Sequence, residues 1–233
     1  MRWGVVVLAG GLVKDPLASA LGTPRKALAQ FRGRSSLWWT LDAVKGAGFT
    51  DCVTISGDDV ATEVHHGRLV MEKDTQIENA RTGVEALVDA DAVLFLPCDC
   101  PLLAPEHLHR FTQEVEARVK EGAEKWLSIG LCSLEKFKEK FPRLATTPIL
   151  LRDGSYLSGS LYAGSVPAFM DATGLLERLS QSRKSQLDLL WKLGPWVLVR
   201  YLMHRVTLQE ARERLERVFD CDGVIVTGCE PEM

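Results

Sequence analysis

Gly4-Val5-Val6-Val7-Leu8-Ala9 runs without a polar break and stops at Gly10-Gly11, the pattern of a strand buried on both faces of a parallel sheet. Polar and apolar positions then alternate at helical spacing from Leu37 to Lys45. Ser35 or Ser36 stands as N-cap and Gly46 or Gly48 as stop, which predicts a helix. Val53-Thr54-Ile55-Ser56 is short and β-branched, so it reads as the next strand, and Leu69-Val70 as a brief one after it. Ile77 to Val88 returns to helical spacing. Ala92-Val93-Leu94-Phe95-Leu96 is the most apolar strand of the chain, ended by Pro97-Cys98-Asp99-Cys100-Pro101. Pro105 to Val119 predicts a helix with proline in its first turn.

Strand and helix thus alternate through the first half, which argues for a doubly wound α/β sheet. The second half is less regular. Trp126–Cys132, Pro148–Leu151 and Ser160–Val166 predict later strands with an antiparallel edge. Leu175–Leu193 and Thr207–Val218 predict helices, the second opened by a capping box of Thr207 and Glu210, and Val224–Val226 a last strand. No repeat or linker interrupts the pattern, so residues 1–233 are expected to form one domain.

Composition narrows the classes. With 46% apolar and 25% charged residues in 233, the chain is an ordinary globular protein. A net charge of -3 argues against nucleic acid as a partner, since duplex binders concentrate Lys and Arg. The most apolar candidate for a membrane span, Leu187 to Met203, is broken by Lys192, Gly194, Pro195 and Arg200 and reads as two amphipathic helices. Six scattered cysteines without a secretory signal fit a cytoplasmic setting, and Cys98 with Cys100 lacks the second half of a zinc site.

Candidate chemistry follows from strand ends, because open parallel sheets bind ligands beyond the carboxyl ends of their strands. Gly10 and Gly11 satisfy that rule and allow backbone N–H groups to approach an anion. Neither a dinucleotide-binding fingerprint nor a P-loop is present. Lys14, Arg25 and Lys26 follow the first strand, where a cation would neutralise a polyphosphate, while a solvated loop is the other reading of each and the better one for Lys14. Asp99 follows the most apolar strand, where a lone carboxylate suffices to start a magnesium site completed by phosphates and water. Asp89 and Asp91 precede that strand and are expected at the opposite, solvated end, and the five histidines accompany no nucleophile elbow.

Val7-Leu8-Ala9-Gly10-Gly11, then Lys26-Ala27-Leu28, then Leu96-Pro97-Cys98-Asp99-Cys100-Pro101-Leu102 together resemble the nucleotidyltransferases related to molybdenum-cofactor guanylyltransferase. The resemblance implies a Rossmann-like, glycosyltransferase-A-type, mostly parallel sheet flanked by helices in three layers. It implies transfer of a nucleoside monophosphate from a nucleoside triphosphate to a small-molecule acceptor, expected to be phosphorylated, with release of pyrophosphate. It assigns Lys26, Asp99 and Arg25 to catalysis, Asp99 to Mg2+, and Leu8, Ala9, Gly10, Gly11, Asn79, Gly83 and Ser160 to substrate binding. Three departures accompany it: a longer loop between Gly11 and Lys26, Ser160 where relatives often carry Asn, and Glu230-Pro231-Glu232 in place of a terminal D-x-D motif. The last departure allows a catalytically silent nucleotide-binding protein as the alternative, ahead of a sugar-nucleotide-dependent glycosyltransferase. A monomer or homodimer is expected.

Overall fold

The computed structural model describes residues 1–180 and 205–233. In chain order the strands are β1 (Trp3–Leu8), β2 (Gln30–Phe31), β3 (Arg34–Ser35), β4 (Cys52–Ser56), β5 (Arg68–Met71), β6 (Ala92–Pro97), β7 (Trp126–Ser133), β8 (Ile149–Leu151), β9 (Gly154–Ser165) and β10 (Asp222–Val226). The helices are α1 (Leu17–Leu21), α2 (Ser36–Gly46), α3 (Gln76–Ala86), α4 (Pro105–Arg118), α5 (Leu134–Lys140), α6 (Val166–Ser180) and α7 (Leu208–Phe219). Short 3-10 turns cover Lys26–Leu28 and Asp58–Glu63.

The main sheet runs β10-β7-β9-β6-β1-β4-β5, with β8 hydrogen-bonded to β9. β1 pairs in parallel with β4 on one side and β6 on the other, and β10 pairs in parallel with β7. Alternation along β1 sorts its side chains into two layers. Val5 and Val7 pack with Leu37 and Leu41 of α2 and Leu108 and Phe111 of α4. Val6 packs on the other face with Ala80 and Val84 of α3 and Phe169 of α6. The result is a three-layer α/β sandwich with a mixed sheet.

Local signals set several boundaries. Ser35 caps α2 by accepting from Trp38 N–H, and Pro105 opens α4. Thr207 and Glu210 form the expected capping box on α7, and Thr75 and Glu78 form a second one on α3. α3 stops at Ala86 and leaves Leu87 extended, short of the expected Val88.

The antiparallel strand is not at an edge. β9 lies between β6 and β7 and runs against both. The chain leaves β6 through α4 and lays β7 one position further out, so the returning arm of the β8–β9 hairpin fills the gap. The long loop after Gly11 also carries α1, and α5 begins directly after β7 with Ser133 as its cap. Of the helix expected over Leu175–Leu193, residues 175–180 belong to α6; positions 181–204, including the pair of amphipathic helices expected over Leu187–Met203, lie outside the described residues. No helix among the described residues is long and apolar enough to cross a membrane.

Candidate active site

From β1 the chain winds outward through β4 and β5, then returns to the other side of β1 to form β6. The crossover directions therefore diverge between β1 and β6, and a crevice opens at the carboxyl ends of these two strands. Gly10 and Gly11 leave β1 there, and Asp99 leaves β6 beside them. All three line a cleft of about 960 Å³ together with Lys26, Glu72, Lys73, Asp74, Ser160 and Tyr162.

Lys26 reaches Asp99 directly, with Nζ 2.9 Å from Oδ2. Ala27, fully buried, anchors the turn that carries the lysine. The aspartate rests on a pinned backbone: the Cys98 N–H donates to the Leu8 carbonyl at 3.2 Å, and the Cys98 carbonyl accepts from Ser36 Oγ at 2.9 Å and Thr40 Oγ1 at 3.3 Å. Burial pushes the Cys98 thiol up to about 12 and the Cys100 thiol up to about 11. Both flanking sulfurs are therefore protonated at neutral pH, the unreactive form of a thiol. Within the Cys-Asp-Cys run it is the Asp99 carboxylate that meets Lys26 in the cleft.

Arg25 is not among the residues lining the cleft but sits behind one of them, Glu72. Its guanidinium is buried and donates to Asp59 Oδ2 at 2.6 Å, Glu72 Oε1 at 2.9 Å and Ser56 Oγ at 3.4 Å. Burial lowers its proton affinity, but the bonds to Asp59 and Glu72 outweigh that and raise the pKa above its ordinary value. Glu72 in turn accepts the Gly11 N–H on Oε2 at 2.7 Å. Gly11 has φ +81°, a conformation that only glycine adopts without strain.

The remaining expected contacts divide. Ala9 is buried, its N–H bonded to the Ile55 carbonyl at 2.9 Å and its carbonyl to Ser56 Oγ at 2.9 Å, so it shapes the loop from beneath. Leu8 and Ser160 both line the cleft. Asn79 also faces the cleft, yet its amide is occupied: Oδ1 accepts from Lys73 N–H at 2.5 Å and Nδ2 donates to the Lys73 carbonyl at 3.3 Å. Gly83 is a packing glycine, since a Cβ there would lie 2.4 Å from Val6 Cγ1. Lys14 is not among the residues lining the cleft.

Sequence reasoning missed Glu72, Lys73 and Asp74, which follow β5 at the same sheet edge as Gly10 and Asp99. The strand-end rule applied to Leu69-Val70 would have found them. Ser158 and Tyr162 flank Ser160 on the wall formed by β9, with their hydroxyls 2.8 Å apart. Asp89 and Asp91 do lie at the opposite end, where both pair with Arg2.

The donor set suits a hard cation only in part. Asp99 offers carboxylate oxygen to the cleft, as Mg2+ requires, but among the described residues no three acidic, His or Cys groups converge on one point. Glu230 pairs with Arg110 and Lys136, and Glu232 with Lys140. Asp222 pairs with Lys120 at the start of β10, on the far edge.

A family model described as a MobA-like NTP transferase domain matches residues 5–124. A solved structure described as a hypothetical transferase from Thermus thermophilus is 28% identical, with TM-score 0.84, covering 100% of this chain and 95% of that one. A 2-C-methyl-D-erythritol 4-phosphate cytidylyltransferase, also from Thermus thermophilus, is 14% identical, with TM-score 0.58, covering 100% and 92%. A 4-diphosphocytidyl-2C-methyl-D-erythritol synthase from Anaerococcus prevotii is 16% identical, with TM-score 0.55, covering 99% and 88%. The last two share the fold. None of the curated proteins matches the chain.

Proposed function

The chain belongs to the MobA-like NTP transferase family, and on that footing we propose that it moves a nucleoside monophosphate from a nucleoside triphosphate to a small phosphorylated acceptor, releasing pyrophosphate. The observation that carries the reading is the Lys26–Asp99 pair, 2.9 Å apart in the β1/β6 crevice beside the glycine loop. An acceptor phosphate oxygen attacks the α-phosphorus in line, and the bond to the bridging oxygen breaks, leaving pyrophosphate with the electron pair. Such an acceptor is already anionic at neutral pH, so no general base is needed. Catalysis then consists of positioning and charge stabilisation.

The chain's own residues divide that work. The Gly10-Gly11 backbone takes the phosphates, and Lys26 meets the charge that develops on the departing pyrophosphate. Asp99 orients the Lys26 ammonium and is the residue that would hold Mg2+. When bound, that ion supplies charge neutralisation across the phosphates. Ser158, Ser160 and Tyr162 form the wall on the other side of the cleft, where the acceptor is expected.

The test is a screen of the four triphosphates with Mg2+ against phosphorylated sugars, alcohols and pterins, reading pyrophosphate. At least one pairing is expected to turn over, and Asp99→Asn is expected to remove that turnover. A second reading, a nucleotide-binding protein without transfer activity, is favoured by the ion pairs of Glu230 and Glu232 with Arg110, Lys136 and Lys140. Nucleotide binding without pyrophosphate from any pairing would select it.

A further inference from the structure

The Gly11 N–H, a donor that an incoming phosphate would use, already has an anionic acceptor, Glu72 Oε2 at 2.7 Å. This position is built from several sides. The Glu72 N–H donates to the Ser56 carbonyl at 2.9 Å, which fixes the backbone at the end of β5. Arg25 holds the second carboxylate oxygen at 2.9 Å and is itself held by Asp59. The next residue, Lys73, is clasped at both backbone groups by Asn79. Gly10 leaves the space that the carboxylate fills, because a Cβ there would lie 2.3 Å from Oε2.

We propose that Glu72 is an internal competitor for the phosphate site, a carboxylate that occupies the glycine loop in the nucleotide-free protein and gives up the Gly11 N–H when phosphate arrives. The proposal rests on the glycine loop being the phosphate site of the proposed transferase. One amide hydrogen does not serve two anionic oxygens at full strength, and two anions at one donor repel each other. A bound phosphate must therefore displace the carboxylate or share the donor under repulsion, and affinity falls in either case. Arg25 gives the displaced carboxylate somewhere to stay, since that ion pair uses the other oxygen. The competitor favours polyanions, whose additional contacts to the loop and Lys26 offset the displacement.

The experiment is calorimetric titration of wild type and Glu72→Gln with the four Mg2+-triphosphates and with inorganic tripolyphosphate. Glutamine keeps the shape but removes the charge. The variant is expected to bind the preferred triphosphate, and tripolyphosphate, roughly tenfold more tightly, a difference of about 1.4 kcal/mol. Equal or weaker binding by a variant that melts with wild type would overturn the proposal and make Glu72 a brace for the binding-competent loop. If Glu72→Gln does not fold, Glu72→Asp keeps a charge for Arg25 and withdraws it from Gly11 by one methylene, and the same gain is expected. Failure of wild type to bind any triphosphate would refute the nucleotide reading itself, an outcome separate from binding without gain.

Discussion

At the scale of single residues, function and stability separate at Lys26. Its partner Asp99 is 40% exposed and the lysine 46%, so the ion pair contributes only about 0–1 kcal/mol to folding. Lys26→Ala is expected to leave the melting temperature nearly unchanged while lowering kcat by about 10²–10³, the usual effect of removing one transition-state donor. Lys26→Arg is expected to rescue little, because a planar guanidinium does not replace a compact ammonium. The cysteines behave oppositely. Burial raises the Cys52 and Cys98 thiols from 9.0 to about 12, so the stability tied to their protonated forms is complete below about pH 9 and is lost as pH rises toward 12. The melting temperature is expected to fall across that window, and less steeply in Cys98→Ala. Lys26 and Asp99 were legible in the sequence because each follows a strand or loop whose polarity changes abruptly. Arg25 looked equivalent to Lys26, since burial and the two distant carboxylates that claim it, Asp59 and Glu72, leave no local trace.

At the scale of elements, α3 shows how far periodicity reaches: it fixes the type of the element and not the task of each residue on it. Its periodicity predicts a helix, and its T-x-x-E start at Thr75 and Glu78 marks the boundary, but no pattern shows which way Asn79 or Gly83 faces. The structure gives them different tasks. Asn79→Ala strips two bonds from the Lys73 backbone, at a cost of about 1–3 kcal/mol, so a lower melting temperature and weaker triphosphate binding are expected together. A base contact would weaken binding with no loss of melting temperature. Gly83→Ala drives a methyl against Val6 and is expected to destabilise by about 1–3 kcal/mol with unchanged nucleotide affinity. Thermal melting and titration of the two variants separate these outcomes.

At the scale of the molecule, the parallel half of the sheet was legible because every βα unit in it is local in sequence. The position of β9 was not, since its pairing with β6 joins residues such as Ala92 and Ser165, far apart in the chain, and alternation alone does not rank possible neighbours. The same topology makes the site. β1 and β6 become neighbours only because the chain turns back, and this brings Gly10, Gly11, Lys26 and Asp99 to one crevice. Calorimetric titration of wild type, Lys26→Ala and Asp99→Asn with each Mg2+-triphosphate tests whether a nucleoside triphosphate occupies that crevice. At least one triphosphate is predicted to bind wild type, with affinity falling tenfold or more in both variants while their melting temperatures hold. Undiminished affinity in both folded variants would contradict that occupancy.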